Sequence, residues 1–161
     1  QVEGQLFKVP RYGFTAEPSV FQTTFSLPQG DQQAEGSCDE NPLRLEGISA
    51  VDFQGLLKVM YPLIASHLTL PWEDWRSALR LATMYDFSRI RDLAIEEMSK
   101  ITDADPVQII LVAREFSIEE WLLPAYRRLA CRDQPISLAD AQLLGWETAI
   151  GLSHVREDIS P

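Results

Sequence analysis

Histidine and cysteine are nearly missing from this chain, with two of each among 161 residues. His67, His154, Cys38 and Cys131 stand singly, without the short spacing that brings two ligands onto one ion, so no metal centre and no cofactor are expected. Glycine is also sparse, at eight residues, and no Gly-rich phosphate loop, Gly-x-Ser-x-Gly elbow or His-Glu-x-x-His pair occurs. Basic residues are the minority, 14 against 24 acidic, for a net charge of -10. The field of such a chain repels phosphate backbones and anionic lipid, which argues against nucleic acid or a membrane surface as a partner. No apolar run approaches the roughly 20 residues that span a bilayer, and the N-terminus does not read as a secretion signal. The two cysteines lie far apart, and free thiols in a reducing compartment are favoured over a disulfide. An intracellular protein, cytoplasmic or nuclear, is expected. The chain begins at Gln1 instead of methionine, which suggests that further residues precede it.

What is present is ordinary globular material, 45% hydrophobic and 24% charged. A chain of this length can bury about two thirds of its unfolded surface, enough for one domain or a domain with a helical extension. The central stretch, residues 72–101, reads as two helices joined at a tight corner. In the first, Trp72, Trp75, Leu79 and Ala82 recur on one face. In the second, Ile90, Leu93, Ala94, Met98 and Ile101 do so, with Ser88 placed to cap the start. Trp75 and Trp121 are read as core anchors, while Trp72 is left open between core and binding surface.

Toward the N-terminus, residues 1–9 carry a Glu-Gly turn signal between apolar runs, and residues 43–48 alternate apolar and polar side chains. Both predict short strands. Between them, residues 19–27 predict a helix entered from Pro18, and the polar, acidic stretch 28–42 predicts a mobile surface loop. Ser49 with Asp52 opens a helix that ends near Tyr61-Pro62. Residues 63–71 are ambiguous between an apolar loop and a strand. In the last third, Asp105-Pro106, Ser117 with Glu120, and Ser137 with Asp140 each mark a helix start; Pro124 should kink or restart one helix and Gly145 should end another.

Adjacent carboxylates occur at Glu96-Glu97 and Glu119-Glu120, but neighbours on a helix point apart, so they read as solvated faces. A small carboxylate-dependent hydrolase is the alternative of another class. It would need Glu96 or Glu120 buried beside a second acid.

The order of Leu6-Phe7-Lys8-Val9 with Arg11, Ser19-Val20-Phe21 with Phe25, Phe53-Gln54-Gly55-Leu56-Leu57 with Tyr61, and Leu79 to Phe87 leading into Ile90, Leu93 and Ala94 resembles the BTB/POZ family. The likeness runs from Gln1 to about Ile101, and residues 113–145 look like the helical tail of many fungal members. The resemblance implies an α+β fold, short strands packed on a helical cluster at 1–101, followed by an all-helical extension at 102–161. It also implies a non-enzymatic protein-interaction module that forms homo- or hetero-oligomers, with a cullin scaffold of a ubiquitin ligase as a candidate partner. A transcription-associated or structural scaffold is the runner-up. The family's contact region maps here to the end of the third helix, the loop after it and the hairpin, which makes Tyr61, Leu63, Ile64, Leu68 and Trp72 the candidate interaction surface. Pro10 stands where the family usually has histidine, and the hydrophobic-x-Glu element of cullin-binding members is not found between Met60 and Trp72.

Overall fold

Polar groups at chain reversals, two of them distant in sequence, meet the open amides where several of the described helices begin. The computed structural model describes residues 1–27, 35–62 and 69–159. It divides into two units, Gln1–Lys100 and Ile101–Pro161. The described residues of the first contain α1 (Tyr12–Thr15), α2 (Val20–Ser26), α3 (Ala50–Met60), α4 (Trp72–Tyr85) and α5 (Ser88–Ser99); those of the second contain α6 (Pro106–Glu115), α7 (Glu119–Cys131), α8 (Leu138–Leu144) and α9 (Trp146–Ile159).

The expected strands shrink to isolated bridges, so the chain is mainly helical where an α+β mixture was expected. Among the described residues, Val2 bridges Gln5 antiparallel and Leu45 parallel, with amide bonds of 2.8–3.0 Å, and no longer ladder forms. The reason is local. Glu3 and Gly4 both adopt positive φ, 47° and 81°, and reverse the chain after a single pair. Pro10 has no amide to offer on one side, and Gly47, at φ 75°, turns the chain away on the other. The stretch 28–42 that was expected to be a loose loop is described only from Glu35 onward. There it makes a tight turn, with Gly36 N donating to Asn41 O at 2.7 Å.

The caps follow the sequence in part. Ser49 accepts from the amide of Asp52 at 3.0 Å, as its position predicts, and Ser19 accepts from the amide of Gln22 at 3.3 Å. Ser88, expected to cap α5, instead lies inside the helix; its N-cap is Phe87, which has no side-chain cap bond. The free amide of Arg89 is met by the carboxylate of Glu17 at 2.9 Å, a residue 72 positions earlier. Glu3 likewise reaches the amide of Ala50 at the start of α3, at 2.9 Å. Anionic oxygens at helix N-termini are favoured by the unpaired amides and by the helix dipole.

The core of the first unit gathers Val2, Phe14, Phe21, Ile48, Phe53, Leu56, Leu81, Ala82 and Phe87, all buried. Trp75 is buried too, at 1% exposure. On α5 the buried face is narrower than the periodicity suggests: Ala94 and Met98 are buried, but Leu93 is 37% exposed. Leu93 lies about 100° around the axis from Ala94, whereas Ile90 and Met98 lie four residues either side and stack with it.

The second unit is built on Val107, Ile110, Ala125, Leu129, Ala130, Leu144 and Leu152. Asp105 caps α6 through the amide of Val107, at 3.2 Å, with Pro106 at the first turn. Ser117 does not cap α7 as expected. It sits at φ 56°, the reversal between α6 and α7, and Ile118 takes the N-cap position. α7 runs through Pro124 as one helix. Two arginines then fasten the remaining helices. Arg114 donates to the carbonyl of Leu144, the hydroxyl of Tyr126 and the hydroxyl of Thr148, at 2.7–2.8 Å. Arg156 donates to the carbonyls of Ala130 and Arg132, at 2.9 and 2.7 Å, answering acceptors that the end of α7 leaves open.

Ser137 and Asp140 form the capping box expected from their spacing, with bonds of 2.9 and 3.1 Å. Burial alone would raise the Asp140 pKa, but the Ser137 amide and the Arg132 guanidinium outweigh it and hold the carboxyl below its ordinary range. A lowered folded-state pKa stabilises above the unfolded value of about 3.9, and that stability is lost as pH falls through the folded value. Melting curves of the wild type should therefore lose an acid-sensitive increment below about pH 4 that Asp140→Asn, destabilised by about 1 kcal/mol at pH 7, no longer shows. In urea titrations, Leu81→Ala should cost about 2–5 kcal/mol, whereas Leu93→Asp, at a half-exposed position, should cost about 1 kcal/mol or less.

Candidate interaction surface

Two of the candidate residues, Tyr61 and Trp72, stand at the end of α3 and the start of α4, and these two helices pack closely. Gly55 is the point of nearest approach. A Cβ there would lie 2.6 Å from Ser77 Cβ and 3.0 Å from the Asp74 carbonyl oxygen, closer than packed atoms allow. Polar pairs flank this contact. Ser77 donates to Asp52 at 2.8 Å, so the carboxylate that could have closed a capping box with Ser49 reaches across to α4 instead. One turn before the end of α3, Lys58 pairs with Asp74 at 2.7 Å. The end of α3 and the start of α4 are thereby pinned side by side.

Tyr61 caps the C-terminal end of α3 and is partly buried. Its hydroxyl donates to the carbonyl of Pro10, and its ring meets Tyr12 edge-on at 5.3 Å. Burial, the largest influence, raises the pKa of this phenol, so it stays protonated as a donor. Gly13 lies so near that a Cβ would come within 2.5 Å of the Tyr61 oxygen. Tyr61 thus joins the N-terminal arm to α3. Trp72, the first residue of α4, is partly exposed. Leu63, Ile64 and Leu68 lie outside the described residues, as does most of the stretch 63–71 that the sequence leaves open.

A cavity of about 310 Å³ lies elsewhere in this unit, lined by Phe7, Val9, Phe25, Leu43 and Cys38, with the Lys8–Asp39 ion pair among its walls. The sequence gives no sign of it, because four separate stretches supply the lining, Phe53 of α3 among them. The carboxylates needed for the hydrolase alternative are not arranged for it. Glu96 is exposed and accepts from Lys100 at 3.0 Å, and Glu120 is exposed on the first turn of α7.

Comparison with protein families finds a match to the BTB/POZ domain over residues 1–102. This chain belongs to the BTB/POZ family. Comparison with curated proteins and with solved structures returns no significant match. BTB/POZ domains are protein-interaction modules, and in this one the position usually held by histidine, Pro10, contributes its carbonyl to the Tyr61 hydroxyl. No helix among the described residues is long and apolar enough to cross a membrane.

The α3–α4 contact of this BTB/POZ domain admits no side chain at Gly55, since the opposing atoms are backbone carbonyl and Cβ. Gly55→Ala should lower its stability by about 1–3 kcal/mol despite alanine's better helix propensity, measured as a shift of the denaturation midpoint at unchanged slope.

Proposed function

We propose that residues 1–101 are a non-catalytic docking module that pairs with other protein chains, and that residues 102–161 are a helical extension of it. The observation that carries this reading is the family match, which covers the same stretch that holds the α3–α4–α5 packing. Supporting it, the conspicuous polar groups of this unit serve structure: Asp52, Lys58, Asp74 and Ser77 tie α3 to α4, and Glu3 and Glu17 hold helix starts. The surface proposed for the partner is the end of α3 and the loop after it, with Tyr61, Leu63, Ile64, Leu68 and Trp72. Because Tyr61 is partly buried and its hydroxyl is bonded to Pro10, the proposal gives the contact mainly to Leu63, Ile64, Leu68 and Trp72. Association by such a surface rests on apolar burial, and a stable interface needs about 800 Å² from each partner.

The partner is a second copy of the chain or another protein. A cullin scaffold is the narrower proposal, resting on the resemblance of the helical hairpin alone. Light scattering on the full chain after size exclusion should give a mass above the 18.2 kDa of one copy, or a pull-down should recover a defined partner. Ile64→Asp should weaken that association, read by the same light scattering or pull-down. A strictly monomeric chain with no partner would overturn the reading.

A further inference from the structure

The exposed side of α9 has a composition that its own fold does not explain. Ala149 and Leu152 face inward and are buried. Trp146 and Ile150, one turn apart, are 59% and 53% exposed, and Val155 and Ile159, also one turn apart, are 45% and 57% exposed. At about 100° per residue the first pair flanks one side of the exposed arc and the second pair the other. Between them run Glu147, Gly151, His154 and Asp158, all exposed. Glycine is the poorest helix former after proline, and a Cβ at Gly151 would meet nothing within 4 Å. Among the described residues, no contact requires the glycine. The charge on this face is one-sided as well: Glu147 and Asp158 lie on the arc, with Glu157 beside Trp146 and Ile150. The helix's arginine, Arg156, is turned inward onto the carbonyls of α7.

We infer that this face of α9 is a second docking surface, and that its occupant is a basic amphipathic helix of another protein. The glycine lets the incoming backbone approach closely, since helix separation is set by the side chains at the contact. The two apolar flanks bury the partner's apolar residues, and its lysines or arginines meet Glu147 and Asp158. A second copy of α9 is disfavoured as occupant, because it would set acid against acid. This surface is separate from the one proposed for residues 1–101, so either can fail alone.

The test uses the full chain and two synthetic helical peptides of about 18 residues, long enough to form helix, one of leucine and lysine and one of leucine and glutamate. The leucine-lysine peptide should bind and shift tryptophan emission to shorter wavelength, a shift absent in Trp146→Phe, while the leucine-glutamate peptide should not bind. Gly151→Leu should weaken binding about tenfold or more, as loss of a central contact does. Because leucine is the better helix former, that loss is not one of folding. Glu96→Gln with Glu97→Gln, on α5, should leave binding unchanged. Equal binding of both peptides, binding indifferent to Gly151→Leu, or an equal loss in the α5 variant would overturn the assignment.

Discussion

The first unit depends on one knot of aromatic rings. Phe14 is its centre, with ring centroids 4.9 Å from Phe21, 6.1 Å from Phe87 and 6.3 Å from Phe53. Phe21 in turn lies 5.8 Å from Phe87 and 4.8 Å from Tyr85. These rings come from four places: α1, α2, α3 and the corner between α4 and α5. Each well-placed aromatic pair contributes about 0.5–1.5 kcal/mol beyond the area it buries. Asp86 makes the knot possible by taking φ 61°, which ends α4 sharply and drops Phe87 into the centre, fully buried. With the corner fixed there, the amide of Arg89 meets Glu17, and the arm that carries Phe14 is bonded where it is packed.

The second unit achieves order by other means. Its apolar cluster is aliphatic and small, and two guanidinium groups fasten the chain around it by donating to carbonyls and hydroxyls. Arginine suits this role because its planar fork presents several donors in fixed directions. Arg114 holds the end of α8 and the start of α9 to α6, and Arg156 holds α9 to the end of α7. Neither contact uses a carboxylate, which leaves the acids of this unit free to define its surface. The exceptions are Asp105, which caps α6, and Asp140, shared between the cap of α8 and Arg132.

For a docking protein the consequence is a division of labour. Within each unit, buried side chains and paired polar groups make a firm frame. On the reading proposed above, apolar side chains around Trp72 in the BTB/POZ unit and around Trp146 on α9 are left for other molecules. Rigid frames favour association because less freedom is lost when a partner arrives.

Much of this was legible in residue order. The hairpin of α4 and α5, the helix starts at Ser49, Asp105 and Ser137, the end of α3 near Tyr61 and the burial of Trp75 and Trp121 all follow from periodicity and capping, which act over a few residues. The order of its short apolar motifs also resembles that of the BTB/POZ family, which the family match bears out. What local rules misjudged were the strands, the cap of α5, the role of Ser117 and the exposure of Leu93. Two of these turn on backbone angles that residue order does not announce, positive φ at Glu3 and Gly4 that cuts the strands short and at Ser117 that makes it a reversal. The cap of α5 comes from a carboxylate 72 residues away, and the exposure of Leu93 from a packing surface whose width no periodicity records. Helical hydrogen bonds close within four residues and so are written in neighbouring side chains. Long-range pairings exist only once the chain has brought their two halves together, and their geometry belongs to the folded molecule.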